Sequence, residues 1–326
     1  MVTKIIKTFR NLLRLPNLLW EFRREFQCFA ADAQKNLACA AKDSRNLLFL
    51  NARLLNEGNK TKREAILKDI TLSEYRVFSQ FGDDGIIQFL VDYLEIETKT
   101  FIEFGVQIYE ECNTRFLLEN NNWRGLVIDS SEEYMTRLKQ EEVYWRCDLK
   151  AVSAFVDKDN INSLISENRM DGEIGLLHID IDGNDYHVWK AITVVSPVIA
   201  IVEYNSVFGS DNAWTVPYDP KFHRTQRHHS NLFFGASLLS LCDLAKEKKY
   251  SFIGCNSAGN NAYFVRNDKL RNLCVKTPKE GYVCSAFRES RNCAGEFTYV
   301  SGTDRMGLLK GLEVWNTRTG NTEIIP

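Results

Sequence analysis

The stretch IGLLHIDIDGNDY, residues 174–186, decides how the rest of the chain is read. A short apolar run climbs to His178, Asp180 and Asp182 and then breaks at Gly183-Asn184. Four to eight apolar residues ending in polar groups and a glycine is the pattern of a buried parallel strand delivering side chains to a crevice. In open α/β sheets that crevice lies beyond the carboxyl ends of the strands. Two carboxylates at such an end are costly unless something pairs or uses them. Asp180 and Asp182 differ by two, so on a strand they face the same side.

Outward from this stretch, short apolar runs alternate with helical ones from Ser73 onward, the signature of βαβ units. Strands are expected over 100–106, 125–129, 152–156, 174–180 and 198–204. Helices are expected over 113–121, from about Asn160, over 184–192 and over 234–249. Residues 250–255 and 262–266 flank NSAGNN, a turn-rich hairpin signal. The expected fold is therefore α/β: a doubly wound, mostly parallel Rossmann-like sheet with an antiparallel edge hairpin. Segment 206–231 is too long for a simple connection, which points to function. The tail, 271–326, suits a small appended element packing on the sheet edge.

Residues 1–70 read as an N-terminal helical extension and 71–326 as the main domain with its appended tail. Residues 1–24 carry Lys4, Lys7, Arg10, Arg14, Arg23 and Arg24 against a single acid, Glu21. Ile5, Ile6, Phe9, Leu12 and Leu13 have helical spacing; Pro16 interrupts it, and Leu19, Phe22, Phe26 and Phe29 resume it. A basic amphipathic helix with Trp20 near its middle suits an anionic membrane surface. Packing on its own domain or on a second copy is the commoner use of such a stripe. Ala33, Leu37, Ala40, Leu47 and Leu54 lie near a seven-residue repeat that Ser44 and Asn51 interrupt. The polar run 57–62, EGNKTK, reads as a linker.

Composition narrows the class. The chain has 326 residues, 44% hydrophobic and 26% charged, with a formal net charge of −2. Those values are ordinary for a globular protein and give no global attraction to nucleic acid. No apolar run approaches the length of a membrane-spanning helix. Nine cysteines are scattered without a Cys-x-x-Cys pair, which suggests free thiols in a reducing cytoplasm.

The turn after the first expected strand separates the candidate ligands. A dinucleotide site wants Gly-x-Gly-x-x-Gly, so that backbone amides approach a pyrophosphate. Here the turn reads EFGVQIYEEC, with Gly105 alone and with Glu103, Glu110 and Glu111 nearby. Acids repel a pyrophosphate and attract a sulfonium bearing an amino group. Asp129 ends the second strand, where an acid accepts ribose hydroxyls. S-adenosylmethionine has the ribose and the positive charge without the phosphate, so the residues favour it over NAD.

Several blocks in order then resemble class I S-adenosylmethionine-dependent methyltransferases, in particular the FkbM-like branch of bacterial polysaccharide and secondary-metabolite clusters. They are FSQFGDDGII (78–87), FIEFGVQIYEECNTRFLL (101–118), NWRGLVID (122–129) and GLLHIDIDGNDYHVW (175–189). IVEYNSVFG (201–209), VPYDPKF (216–222) and GNNAYFVR (259–266) follow, so the resemblance covers residues 73–270. IDIDGND parallels the branch's Lys-Ile-Asp-Val-Glu-Gly block, with Asp182 in the Glu position and His178 in the Lys position. Val106–Tyr109 replace the second glycine of the usual turn.

The resemblance implies O-methylation, on a sugar hydroxyl of a surface glycan or its nucleotide- or lipid-linked precursor. Cofactor contacts are then expected from Gln80, Glu103, Gly105, Asn113, Asp129, Ser130 and Asp180, and catalysis from Asp180, Asp182 and His178. Asp84, near Gln80, serves equally well as a helix N-terminal acid. A Mg²⁺-like ion would be held by Asp182 with Glu203 and Asn205. His178 has a free pKa near neutrality, although a satisfied core histidine is the commoner outcome within an apolar run. The basic run KFHRTQRHH (221–229) offers His223, Arg224 and Arg227 to a phosphate-bearing acceptor; it also fits a plain solvated face. The competing reading is a non-catalytic module that keeps the fold for assembly. The implied workplace is the cytoplasm or the inner membrane surface.

Overall fold

The computed structural model describes the chain from Val2 onward, with side chains given from Trp20 except at Glu21. The expectations for Lys4, Ile5, Ile6, Lys7, Phe9, Arg10, Leu12, Leu13, Arg14 and Leu19 concern side chains outside the described residues. The N-terminal helix runs from Val2 to Thr61. It continues through Pro16 and takes in most of the expected linker at 57–62, because good helix formers flank both sites. Phe22, Phe26, Phe29, Leu37, Leu47 and Leu54 on it are exposed. The chain divides into two compact units at Arg53/Leu54. The division precedes the expected boundary at 70 because Ile66, Leu67 and Ile70 are buried in the core of the second unit. No helix among the described residues is long and apolar enough to cross a membrane.

The second unit is built on a seven-stranded sheet. Its strands are β1 (Thr100–Phe104), β2 (Arg124–Asp129), β3 (Leu149–Ser153), β4 (Gly172–Ile179), β5 (Val195–Glu203), β7 (Tyr250–Cys255) and β8 (Asn261–Arg266), with β6 (Trp214–Thr215) elsewhere. The order is β3-β2-β1-β4-β5-β8-β7. β1 to β5 are parallel, and β8 pairs antiparallel with both β5 and β7. This is the expected doubly wound, mostly parallel Rossmann-like sheet with its antiparallel edge hairpin.

Period-two alternation assigns the strand residues to two cores. Phe101, Val127, Leu176, Ile199 and Ile201 join one cluster, with Ile86 and Leu90 of the helix Asp83–Leu94. Ile102, Phe104, Leu126, Ile128, Leu177, Ile179 and Val202 join the other. The same alternation puts Glu103, Asp129, His178, Glu203 and Asn261 on the first face, at the end of the sheet where the parallel strands finish.

The tail does more than cover an edge. Lys276 N–H bonds the Phe252 carbonyl of β7 at 2.9 Å, which is the edge contact expected of it. Farther on, β9 (Glu313–Asn316) and β10 (Asn321–Ile324) join β6 in a separate three-stranded sheet. That sheet closes a third core in which Leu309, Val314 and Ile325 pack with Phe208, Trp214, Phe222 and Phe234. The long segment after β5 is thereby held in place from the far end of the chain.

Gly105 ends β1 with φ of 75°, and a Cβ there would lie 1.7 Å from the Asp180 carbonyl oxygen. Left-handed backbone and direct contact with β4's exit both require glycine. Gly105→Ala is expected to destabilise the fold by roughly 2–4 kcal/mol in urea unfolding. Gly58→Ala, on the N-terminal helix where a Cβ meets nothing within 4 Å, is the control. It should instead stabilise by about 0.5–1 kcal/mol; equal effects would refute the contact's importance.

Candidate functional site

Two cavities of about 780 and 310 Å³ adjoin at the strand ends. Gly105, Ser130, Phe155 and Asp180 line both, so the cavities meet where the turn after β1 crosses the exit of β4. Asp129 borders the smaller one. One of its oxygens accepts the Gln107 N–H and the other the Ser131 N–H, each at 2.8 Å. Each oxygen keeps a further lone pair. Ser130 is exposed on the rim, and its neighbour Ser131 caps the helix Glu132–Leu138. Gln80, also exposed, lines the larger cavity and donates to Glu111 at 3.3 Å. Asp84 proves to be a clamp: one oxygen accepts the N–H groups of Val77, Phe78 and Ser79, each at 2.8 Å.

Glu103 is buried beneath this turn. It accepts Asn113 N–H at 2.9 Å, Thr114 N–H at 3.1 Å, the Thr114 hydroxyl, and His178 Nδ1–H at 2.9 Å. Asn113 Nδ2 lies 3.1 Å from His178 Nε2. Burial alone would raise the Glu103 pKa; hydrogen bonding to and the charge of His178, with the Thr114 and Asn113 bonds, outweigh it and hold the carboxylate below its usual range. Burial alone would lower His178, and Glu103 overrides it upward. Two expectations change here. Both ring nitrogens of His178 are engaged internally, so it has no free nitrogen for an acceptor. Glu103 is committed to the turn, and it positions Asn113 rather than presenting a free carboxylate.

The acids gather one strand farther along. Carboxylate oxygens of Asp180, Asp182 and Glu203 lie within 4.8 Å of one another. β4 ends at Ile179, and Asp182 has φ of 55°, so a turn and not strand alternation brings it to the cluster. Asp185 fixes that turn by accepting Ile181 N–H at 2.9 Å and Gly183 N–H at 3.0 Å. Burial first, then the neighbouring charge of Asp182, pushes Asp180 up to about 6. Burial and Asp180 push Asp185 up to about 7. Burial, Asp180 and Asp182 raise Glu203 well above the ordinary glutamate value. Asn205 is committed elsewhere: its amide donates to the carbonyls of Leu232 at 2.8 Å and Phe234 at 3.0 Å, and its Oδ1 accepts Val207 N–H at 3.0 Å, bracing the chain after β5. Asp180 takes the place expected of it.

The donor set fits a cation. Glu203 Oε2 is buried without a hydrogen-bond partner, and so is Oδ1 of Asn261. The two residues face each other across the β5–β8 ladder. Three hard oxygen donors beside unserved acceptors suit a divalent ion such as Mg²⁺.

Both arginines of the basic run expected at a phosphate are paired with acids. Arg224 donates to Asp182 at 2.6 Å, to Glu289, and to the Asn231 carbonyl at 2.9 Å. Arg227 sits away from the cavities beside Asp219, at 3.5 Å. His223 lines the larger cavity with its ring 5.3 Å from that of Phe155. Of the three residues expected to hold a phosphate, none presents an unpaired guanidinium to the cleft. Sequence reasoning missed Asp185, which its place just after Gly183-Asn184 would have allowed. It also missed Ser285, Phe287, Glu289 and Arg305 from the tail, all on the cavity wall; nothing local distinguishes them.

No protein-family model matches the chain, and no curated protein matches it. Among solved structures it is similar to the N-terminal domain of EvdMO1 with SAH bound, at 10% identity over 58% of this chain and 81% of that one, TM-score 0.39. It is similar to the O-methyltransferase from Bacillus cereus in complex with SAH, at 15% identity over 65% and 90%, TM-score 0.36. An S-adenosylmethionine-dependent methyltransferase from Clostridium acetobutylicum gives 10% identity over 54% and 87%, TM-score 0.35. At scores of this size, strand order and site geometry are the grounds for assigning chemistry.

The acid cluster sets a pH dependence. The fold raises the pKa values of Asp180 and Asp185, so the folded chain holds those protons more tightly than the unfolded chain. Their stabilisation is full below the ordinary aspartate pKa and is lost as pH rises through about 6 and 7. The raised His178 adds to this trend, whereas the lowered His187 and His228 partly oppose it. Ligand-free protein in chelator should lose roughly 2–4 kcal/mol between about pH 5 and pH 8. Asp180→Asn should flatten the profile; a wild-type stability that rises over this range would contradict the assignment.

Proposed function

We propose that the chain is an S-adenosylmethionine-dependent O-methyltransferase of the FkbM-like kind, acting on a sugar hydroxyl of a glycan or glycan precursor with a divalent cation at Asp180, Asp182 and Glu203. The observation that carries this reading is the convergence of three carboxylates at the meeting point of the two cavities, beside Gly105. The smaller cavity has Asp129 for a ribose, and the larger has the acids beside the reacting centre. Glu110, Glu111 and Asp182 around the opening favour a sulfonium over a pyrophosphate.

The cofactor supplies an electrophilic methyl group, and transfer is an in-line displacement in which the protein contributes mainly position and a deprotonated acceptor. Asp129 orients the ribose edge. Glu103 and His178 hold Asn113 at the cavity wall, from where its amide can meet the cofactor's amino-acid end. A divalent ion held by the cluster would lower the pKa of an acceptor hydroxyl. With a cation to keep the cluster ionised, the unserved buried Oε2 of Glu203 would be placed to accept the hydroxyl proton. Arg224 holds Asp182 in the cluster and offsets part of its charge. The exposed aromatic side chains of the N-terminal helix suit an association element, either with a second copy or at a membrane surface.

Calorimetry should detect S-adenosylhomocysteine binding and no NAD binding; absence of the former would remove the reading. In a sugar-acceptor screen read by mass spectrometry, Glu203→Gln should lower transfer by about 100-fold or more, with S-adenosylhomocysteine affinity within about threefold of wild type. Chelator should abolish transfer and Mg²⁺ or Mn²⁺ restore it. Full activity in chelator would leave the carboxylates as proton acceptors and remove the cation.

A further inference from the structure

The tail brings a second charged group to the larger cavity, and the methyl-transfer chemistry above makes no use of it. Arg305 is 2% exposed and lines the cavity wall. Its Nε donates to the Gly302 carbonyl at 3.2 Å, Nη1 to the Ser285 hydroxyl at 2.9 Å, and Nη2 to the Ser285 carbonyl at 2.7 Å. The remaining contacts are long, 3.5 Å from Nη1 to the Phe287 carbonyl and 3.7 Å from Nη2 to Cys284 Sγ. Every partner is neutral. Arg224, the other arginine on the wall, is divided between Asp182 and Glu289. Arg305 thus carries a buried positive charge with no ion pair among the described residues. Such a charge is unfavourable until something neutralises it.

We propose that Arg305 and Ser285 recognise an anionic group, a phosphate or a carboxylate, on the acceptor. The proposal rests on the methyltransferase reading and deepens it by naming the class of acceptor. The 3.5 Å contact to the Phe287 carbonyl is long and the Cys284 sulfur is a weak acceptor, so each terminal nitrogen keeps one N–H that a better acceptor can claim. Adjacent N–H groups on a guanidinium match the two oxygens of a carboxylate or phosphate. Ser285 Oγ also lies 2.8 Å from Ser206 Oγ, just after β5, so the site is tied to the chain leaving that strand.

Position assigns the anion to the acceptor. In the sheet, β5 lies beyond β4 as seen from β1 and β2, whose ends carry the Gly105 turn and Asp129. A group at Arg305 is therefore across the acid cluster from the ribose side. The acids repel an anion and Arg305 attracts it, so a sugar bearing both a hydroxyl and an acidic group has one favourable direction of entry. This replaces the phosphate grip expected of Arg224 and Arg227, whose charges the fold uses internally.

The test is calorimetry of wild-type protein, with and without saturating S-adenosylhomocysteine, titrated with inorganic phosphate, glucose 1-phosphate, glucuronate and glucose. The acidic sugars should bind at least about tenfold more tightly than glucose, and Arg305→Met should remove that preference. Arg305→Lys, which keeps the charge without the fork, and Ser285→Ala should each weaken anion binding in part; they decide the matter if the methionine variant does not fold. Equal binding of glucose and the acidic sugars, or unchanged anion binding in all three variants, would overturn the proposal. Loss of S-adenosylhomocysteine affinity with anion binding intact would assign Arg305 to the cofactor's carboxylate and also overturn it. Failure of wild type to bind S-adenosylhomocysteine counts against the methyltransferase reading alone, because the anion titrations without it stand by themselves.

Discussion

A carboxylate placed inside a sheet protein must find donors for both oxygens, and Glu103 finds them on two separate segments. Its bonds reach the Asn113–Thr114 turn and His178 of β4, while its own backbone belongs to β1. Isolated burial of that charge would be prohibitive. Satisfied, it fixes the position of the turn after β1 relative to β4, which is the relation both cavities depend on. Gly105 completes the arrangement from above, since only a residue without Cβ passes over the Asp180 carbonyl. The strand ends are thus held by one buried network and one backbone contact.

The neighbouring acids are treated differently. Glu103 receives enough donors to stay ionised, whereas half-buried Asp180 and buried Asp185 and Glu203 lie near one another with too few. Protons or a cation must make up the difference. Perturbed carboxylates in a cleft are a functional signal, though structural networks also produce them. Asp185 shows the structural kind, because both its oxygens serve backbone amides of the turn. Glu203 shows the other, with an oxygen that nothing in the described chain serves.

Much of this was legible in the sequence where the signal is local. Apolar runs of strand length gave the parallel strands and the edge hairpin, with ends displaced by at most three residues; β3 starts at Leu149, for instance, because its alternating residues precede the apolar run. Asp180, Asp182 and Glu203 were visible as acids at strand ends. Their convergence was not, because it depends on the left-handed conformation at Asp182 and on the clamp from Asp185. The role of Arg224 could not be read from its basic neighbours, since its partners lie 42 and 65 residues away in the chain. A two-residue strand such as β6 has no periodicity to detect, and its partner β9 is about a hundred residues later.

That distance has a functional consequence. The tail's closing sheet fastens the segment after β5, and the residues between β8 and that sheet pass along the cavity wall. Ser285, Glu289 and Arg305 are brought to the cleft by the same path that seals the third core. The groups at the ends of β1, β2 and β4 come from the sheet itself and would be set by any chain that folds this way. The acceptor wall comes from a separate element whose position rests on apolar packing of Leu309, Val314 and Ile325. Such an element can change its polar residues without disturbing Glu103 or Gly105. On this division, the sheet sets the groups at the strand ends, and under the proposed reading the tail sets which acceptor is presented to them.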